Sequence, residues 1–178
     1  MAKDKPKPNI DFRLMSLEYK FRDFLLPRKN ILKEVGIEIG FHVLDYGCGP
    51  GSYITPLAEL VGKPGKIYAL DIHPLAIKMV QKIASKKQLT NVATICSGCK
   101  TGLPDNSINV ALLYDILHDL SDPNGVMEEL RRVLKPDGIL SVSDHHLKEA
   151  AIISRVTTGE LFRLSRKGER VYNFVKLR

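Results

Sequence analysis

No apolar run in this chain approaches the roughly 20 residues that a membrane-spanning helix needs. The opening stretch MAKDKPKPN also has none of the apolar core of a secretory signal. Both omissions make the cytoplasm the expected location. Cysteine is scarce: Cys48, Cys96 and Cys99 are the whole set, and an odd, small number argues against a disulfide framework. No basic run is interleaved with aromatic residues. The net charge of +7 therefore reads as dispersed surface lysine and arginine, helix-paired with acids in places such as MEELRR. A nucleic-acid partner is disfavoured but stays open. With no internal repeat and no linker, 178 residues of which 44% are hydrophobic imply one globular domain with its own core.

What is present begins with a Lys- and Pro-rich tail over residues 1–9, expected to be disordered. Residues 10–35 have helical spacing, with Phe12, Met15, Tyr19, Phe21, Phe24 and Leu25 supplying apolar surface. Pro27 should split them into two helices. From residue 36 the chain alternates. FHVLDY, IYALDI, VATIC, INVALLY and ILSVSD are short apolar runs that read as buried strands. Helices are predicted between them over 52–61, 74–88 and 121–135, the last closed by PDG, and another over 148–158. LFRLSR and RVYNFVK, joined by KGE, read as a closing hairpin. The prediction is an α/β domain over 36–178: five parallel strands with helices on both faces, and an antiparallel C-terminal hairpin that brings the sheet to seven.

The stretch VLDYGCGPG follows the first strand. In an open parallel sheet, ligands bind at the carboxyl ends of the strands. Gly47, Gly49 and Gly51 allow a sharp turn and close approach of backbone to a ligand, and the next helix points its amino end at that place. Asp71 ends the second strand about twenty residues later, where a carboxylate can accept both hydroxyls of a ribose. The dinucleotide fingerprint G-x-G-x-x-G is not met: the third glycine comes one residue early, and Ser52 stands in its place. That spacing argues against a nicotinamide oxidoreductase.

VLDYGCGPG resembles the first motif of the class I S-adenosylmethionine-dependent methyltransferases. ALDIHP is similar to the acidic end of their second strand, LPDNSINVALLYDILHDL to their fourth-strand region, and LRRVLKPDGILSVSD to the helix and fifth strand that follow. The resemblance runs over about 31–178 and is nearest to the small-molecule group that includes the quinone-biosynthesis enzymes. It implies a Rossmann-like fold, S-adenosyl-L-methionine as cofactor, and methyl transfer to a small acceptor. It also implies residue roles: Asp45 facing the cofactor's ammonium, Tyr46 and Gly47 lining that side, Asp71 on the ribose, Ile72 packed on adenine, and Tyr114 near the sulfonium. The family's acidic residue for the adenine amino group is missing. CSGCKTGLPD puts Gly98 and Cys99 there, which leaves Ser97, a backbone carbonyl or packing to hold the base.

Cys96 and Cys99 form a C-x-x-C, with His118, His145 and His146 near strand ends on the same side. The pair reads better as a small hydrophobe ending a buried strand and a wall of the adenine pocket than as a metal or redox site; no metal is expected. An arsenite methyltransferase is disfavoured for want of cysteine.

Methyl transfer to a hydroxyl, phenol or carbon acid benefits from a base. Asp115 and His118 past the fourth strand, and Asp144, His145 and His146 past the fifth, are the candidates. Strand alternation should send only one of His145 and His146 into the cleft. No large insertion follows the fifth strand, so the helices of 10–35 are the expected cover, and Phe12, Met15, Tyr19 and Phe24 would then favour an apolar or aromatic acceptor. Basic residues among that stripe also fit contact with a membrane surface. Two other readings of the same fold stay open: an RNA or protein methyltransferase, disfavoured on amino nitrogen because YDIL replaces an N/D-P-P-Y/F motif, and a non-catalytic binding module. The sequence leaves the oligomeric state undetermined.

Overall fold

The computed structural model describes residues 6, 8–25 and 28–177; the side chains of 15 and 20–25 lie outside that description. Two helices, α1 (Asn9–Leu25) and α2 (Arg28–Lys33), lead into β1 (His42–Tyr46). Then come α3 (Ile54–Val61), β2 (Lys66–Asp71), α4 (Pro74–Lys86), β3 (Val92–Cys96) and β4 (Ile108–Tyr114). The chain closes with α5 (Pro123–Val133), β5 (Leu134–Ser143), α6 (Glu149–Thr157), β6 (Phe162–Lys167) and β7 (Tyr172–Lys176). The expected proline break at Pro27, most of the 1–9 tail and the contacts of Met15, Phe21, Phe24 and Leu25 fall outside the described residues.

The seven strands form one sheet in the order β3-β2-β1-β4-β5-β7-β6, parallel from β3 to β5 and antiparallel through β7 and β6. Alternation along the central strands divides the core between two faces. Val43, Val110 and Leu112 meet α2, α3 and α4 through Leu32, Leu57, Val61 and Val80. Leu44, Ala111 and Leu113 meet α5 and α6 through Val126, Leu130, Val133, Ile152 and Val156. Strand order reverses at β1, whose neighbours are β2 and β4, so the crevice for a ligand opens at the carboxyl ends of β1 and β4.

Two local differences from the sequence reading have simple causes. KPDG is not a helix stop followed by a loop: β5 already pairs with β4 at Ile108–Leu134, and a register shift before Val110–Ile139 absorbs the turn. Cys96 is exposed rather than buried, because β3 is the sheet's outermost strand and has a neighbour on one side only. Among the described residues, no helix is long and apolar enough to cross a membrane.

Candidate active site

A cavity of about 520 Å³ lies at the carboxyl ends of β1, β2 and β4. Its floor is the turn after β1. Gly47 and Cys48 both donate their amides to the Leu70 carbonyl (2.8 and 2.9 Å), which pulls the turn against the end of β2. Gly47 has φ +78°, which strains any other residue, and a Cβ there would come within 2.4 Å of Ile116 Cδ1 and displace it. Gly49 donates its amide to Asp71 Oδ2 at 2.8 Å. Gly51 does not line the cavity. With φ +88° it sits against Ile83 and Val80 of α4, where a side chain would press on the packing beneath the turn.

Asp71 lines the cavity and also accepts the His73 amide at 2.7 Å on Oδ1. Burial raises its carboxyl above the usual range, against the pull of those two amides. It does not cap α4. His73 does, with Nδ1 accepting the Leu75 amide at 3.1 Å. Asp45 does not itself line the cavity but lies behind the turn, 2% exposed, and among the described residues its Oδ2 has no hydrogen-bond partner. Burial, and next the charge of Asp71, push its carboxyl up to about 7. Such an unpaired buried oxygen is costly unless a cation or donor arrives.

The far wall is Tyr46, Ile72, Ser97 and Gly98. The Tyr46 hydroxyl donates to the carbonyls of Gly98 (3.1 Å) and Cys99 (3.4 Å). Cys99 does not line the cavity; it packs half-buried against the α5 side of the core, and its neighbour Gly98 takes the wall position instead. The loop that carries them is clamped from α5. Buried Glu129 accepts both the amide and the hydroxyl of Thr101 (2.8 and 2.7 Å) and pairs with Arg132 at 2.7 Å. Arg132 also holds the Leu103 carbonyl. Burial works to raise the Glu129 carboxyl, but these hydrogen bonds prevail and hold it down at about 2.

On the opposite side stand the ends of β4 and β5. Tyr114 lines the cavity, with its hydroxyl 2.9 Å from Ser141 Oγ and its ring edge-on to Tyr53; burial pushes the phenol well up. Tyr114 pairs with Ser143, so the residues beyond them emerge side by side. Their side chains pair crosswise. Asp115 Oδ1 is 2.8 Å from His145 Nδ1, and Asp144 Oδ2 is 2.8 Å from His118 Nδ1. Asp144, buried, also accepts the amides of His118 and His146, both at 3.0 Å. Asp115 takes φ +55°, a left-handed conformation that aspartate tolerates better than most residues.

The rings of His118, His146 and His145 follow one another at 4.2 and 3.9 Å between centroids. His145 and His146 both line the cavity, where alternation predicts only one. They lie beyond the last residue of β5, in a turn, and the period of two no longer applies. Asp115, His118, His145 and His146 thus meet in one wall, with Asp144 behind it.

The roof comes from α1. Phe12, Glu18 and Tyr19 line the cavity, and the Phe12 ring stacks on His73 at 4.2 Å. His73 was not singled out from the sequence; its one signal there is a histidine directly before the proline that opens a helix. Cys96 and Cys99 join no metal site: among the described residues, no group of three or more His, Cys, Asp or Glu side chains is placed to hold an ion.

A family model described as a methyltransferase domain matches residues 37–175. The chain belongs to that family, and its fold is the one on which class I enzymes bind S-adenosylmethionine. Among individual relatives, it is 32% identical over 126 residues to the demethylmenaquinone methyltransferase of Geobacillus stearothermophilus, which covers 70% of this chain and 54% of that one. The chain thus spans about half the length of the curated relatives it matches. Among solved structures, it is 28% identical to an S-adenosylmethionine-dependent methyltransferase from Aquifex aeolicus, with a TM-score of 0.79 over 90% of this chain and 98% of that one. It is also 28% identical to an arsenic(III) methyltransferase from Chlamydomonas reinhardtii, with a TM-score of 0.56 over 62% and 40% of the two chains.

Proposed function

We propose that this protein transfers a methyl group from S-adenosylmethionine to a small aromatic or apolar acceptor, a quinol being the type that best suits the site. One observation carries the reading. A single cavity joins the glycine turn and Asp71, on one side, to two carboxylate-oriented histidines on the other, beneath aromatic side chains of α1. The relatives named demethylmenaquinone methyltransferase support the choice of a quinol.

The residues present fit the cofactor. The partnerless oxygen of Asp45 suits an ammonium group. Each oxygen of Asp71 holds one backbone amide and keeps a lone pair for a ribose hydroxyl. Ile72 and Gly98 would flank adenine, with Ser97 as the polar group of that wall in place of a carboxylate. Tyr46, Gly47 and Gly49 would hold the methionine side, and Tyr114 would border the acceptor. When bound, S-adenosylmethionine supplies an electrophilic methyl group.

The rest falls to the protein. Closing the acceptor under Phe12 and Tyr19 aligns it and excludes water, and positioning accounts for much of the rate in such a transfer. A carboxylate on Nδ1 places the ring proton there and leaves Nε2 to accept one. His118 is the better-enclosed of the two oriented histidines, with 22% of its side chain exposed against 57% for His145. His118 Nε2, which also faces Asp119 Oδ1 at 3.5 Å, is the nitrogen assigned to take the acceptor's proton, with Asp144 holding the tautomer and both carboxylates steadying the positive charge that results. The ring of His146, tilted at 53° and 40° against His118 and His145, restricts rotation of both neighbours.

The test is to incubate the protein with S-adenosylmethionine and a demethylnaphthoquinol, and to measure S-adenosylhomocysteine and methylated quinol by mass spectrometry. Product that disappears with Asp71→Ala is expected. Tight binding of S-adenosylhomocysteine without transfer to quinol, RNA or protein would make the chain a binding module instead.

A further inference from the structure

Helix α1 has two apolar faces, and among the described residues only one is covered. Phe12 is buried against His73, and the Ser16 hydroxyl reaches the Met79 sulfur of α4 at 3.9 Å, so this face of α1 lies on α4 and over the cavity. On the other face Ile10, Leu14 and Leu17 are 73, 59 and 62% exposed. Their spacing of four and three residues places them in one stripe. Isolated exposed leucines need no explanation, but three in a row on one helix do.

The ground on the α4 side of the stripe is basic. Arg13 is exposed and falls, by helical rotation, between the stripe and Ser16, the side on which α4 lies. The exposed lysines of α4, Lys78, Lys82 and Lys86, stand four residues apart along one row, and Lys87 follows. No aspartate or glutamate occurs anywhere from residue 72 to residue 104, so nothing on α4 offsets them. The exposed acids of α1, Asp11 and Glu18, fall on the opposite flank of the stripe.

We propose that this face docks on an anionic lipid surface. Ile10, Leu14 and Leu17 enter the boundary between headgroups and acyl chains, while Arg13 and the α4 lysines meet lipid phosphates. A second copy of the chain fits less well. Three side chains offer far less than the roughly 800 Å² per partner of a stable interface, and two copies meeting here would oppose their lysine rows. Because the other face of α1 roofs the cavity, docking sets the cavity mouth beside the bilayer. The inference does not depend on which acceptor is methylated.

Flotation of the full chain with vesicles of phosphatidylcholine alone, or with added phosphatidylglycerol, tests it. Wild type should partition onto the anionic vesicles at least about tenfold better, and added salt should reverse this. Lys78→Glu with Lys82→Glu should bring binding down to the phosphatidylcholine level. Leu14→Ser with Leu17→Ser should lower it about tenfold or more at any charge density. Unchanged binding of S-adenosylhomocysteine by both variants in solution shows that each is folded. Equal binding to the two vesicle types, or variants that float like wild type, overturns the proposal. So does absent vesicle binding together with a dimer that Leu14→Ser dissociates, which would assign the stripe to self-association.

Discussion

The Asp45 carboxyl, pushed up to about 7 by burial and by the charge of Asp71, is close to half protonated at neutral pH. An ammonium group pairs with the carboxylate and not with the acid. A ligand bearing one therefore selects the ionised form, and its affinity should fall as the pH drops through 7. Between pH 8 and pH 6 the loss is about tenfold, or about 1.4 kcal/mol. The same linkage requires proton release on binding: about one proton at pH 6, about half at pH 7 and almost none at pH 8. Titration calorimetry of S-adenosylhomocysteine in two buffers of different ionisation enthalpy reads this directly. The enthalpies should diverge at pH 6 and converge at pH 8. Asp71 is raised too, so Asp45→Asn isolates the contribution of Asp45: the variant should bind weakly and lose most of the buffer dependence. Identical enthalpies in both buffers at pH 6, or an Asn variant with the full tenfold pH dependence, would refute the assignment of Asp45 to the ammonium. The sign for stability is opposite. A carboxyl raised on folding favours the folded state at low pH and loses that contribution as pH rises from about 3.8 to 7, so Asp45→Asn should raise the Tm of the empty protein at pH 8.

Glu129→Ala removes the acceptor of the Thr101 amide and hydroxyl and leaves Arg132 with Asp105 and the Leu103 carbonyl, and should cost about 2–4 kcal/mol in urea unfolding, with weaker S-adenosylhomocysteine binding as the Ser97–Gly98 wall loosens. Because the Glu129 carboxyl is held low, at about 2, its contribution is present above the ordinary carboxylate range and should fade as pH falls from about 4.5 to 2 in wild type alone. Gly51→Ala combines a left-handed φ with a Cβ 2.8 Å from Ile83 Cδ1, and a loss of about 1–3 kcal/mol in thermal or urea denaturation is expected. His118→Asn should lower kcat about 100-fold while leaving S-adenosylhomocysteine affinity intact; Asp144→Asn should do the same through the tautomer, and an unchanged kcat in either would remove His118 from the base role.

The parts of the site that were legible in the sequence are those built from local chain. The turn after β1 and the acid ending β2 carry their geometry in a few adjacent residues, and the alternation of apolar runs with helices dictates a parallel sheet. What depends on strand order or register was not legible. The exposure of Cys96 follows from β3 being outermost. The crosswise pairing of Asp115 with His145 and of Asp144 with His118 follows from Tyr114 lying opposite Ser143. The packing of Gly51 against Ile83 and Val80 was hidden as well, since spacing alone does not report what lies behind a glycine. The cover that α1 gives the cavity was legible in part: Phe12 and Tyr19 were expected over the cleft and line it, whereas a helix apolar on both faces gives no sign that Ile10, Leu14 and Leu17 turn outward.

The crossed pairs also constrain how this site can change over generations. Asp115 and His118 are neighbours in the chain, yet each depends on a residue of the other strand's end. A substitution at position 115 loosens 145, and one at 144 loosens 118 along with the 146 amide, so each reaches across to the other strand's end. Tolerated change should therefore be inherited along the diagonals, 115 with 145 and 118 with 144. A lineage could dismantle one diagonal and keep a working base on the other, which gives the wall room to drift toward new acceptors.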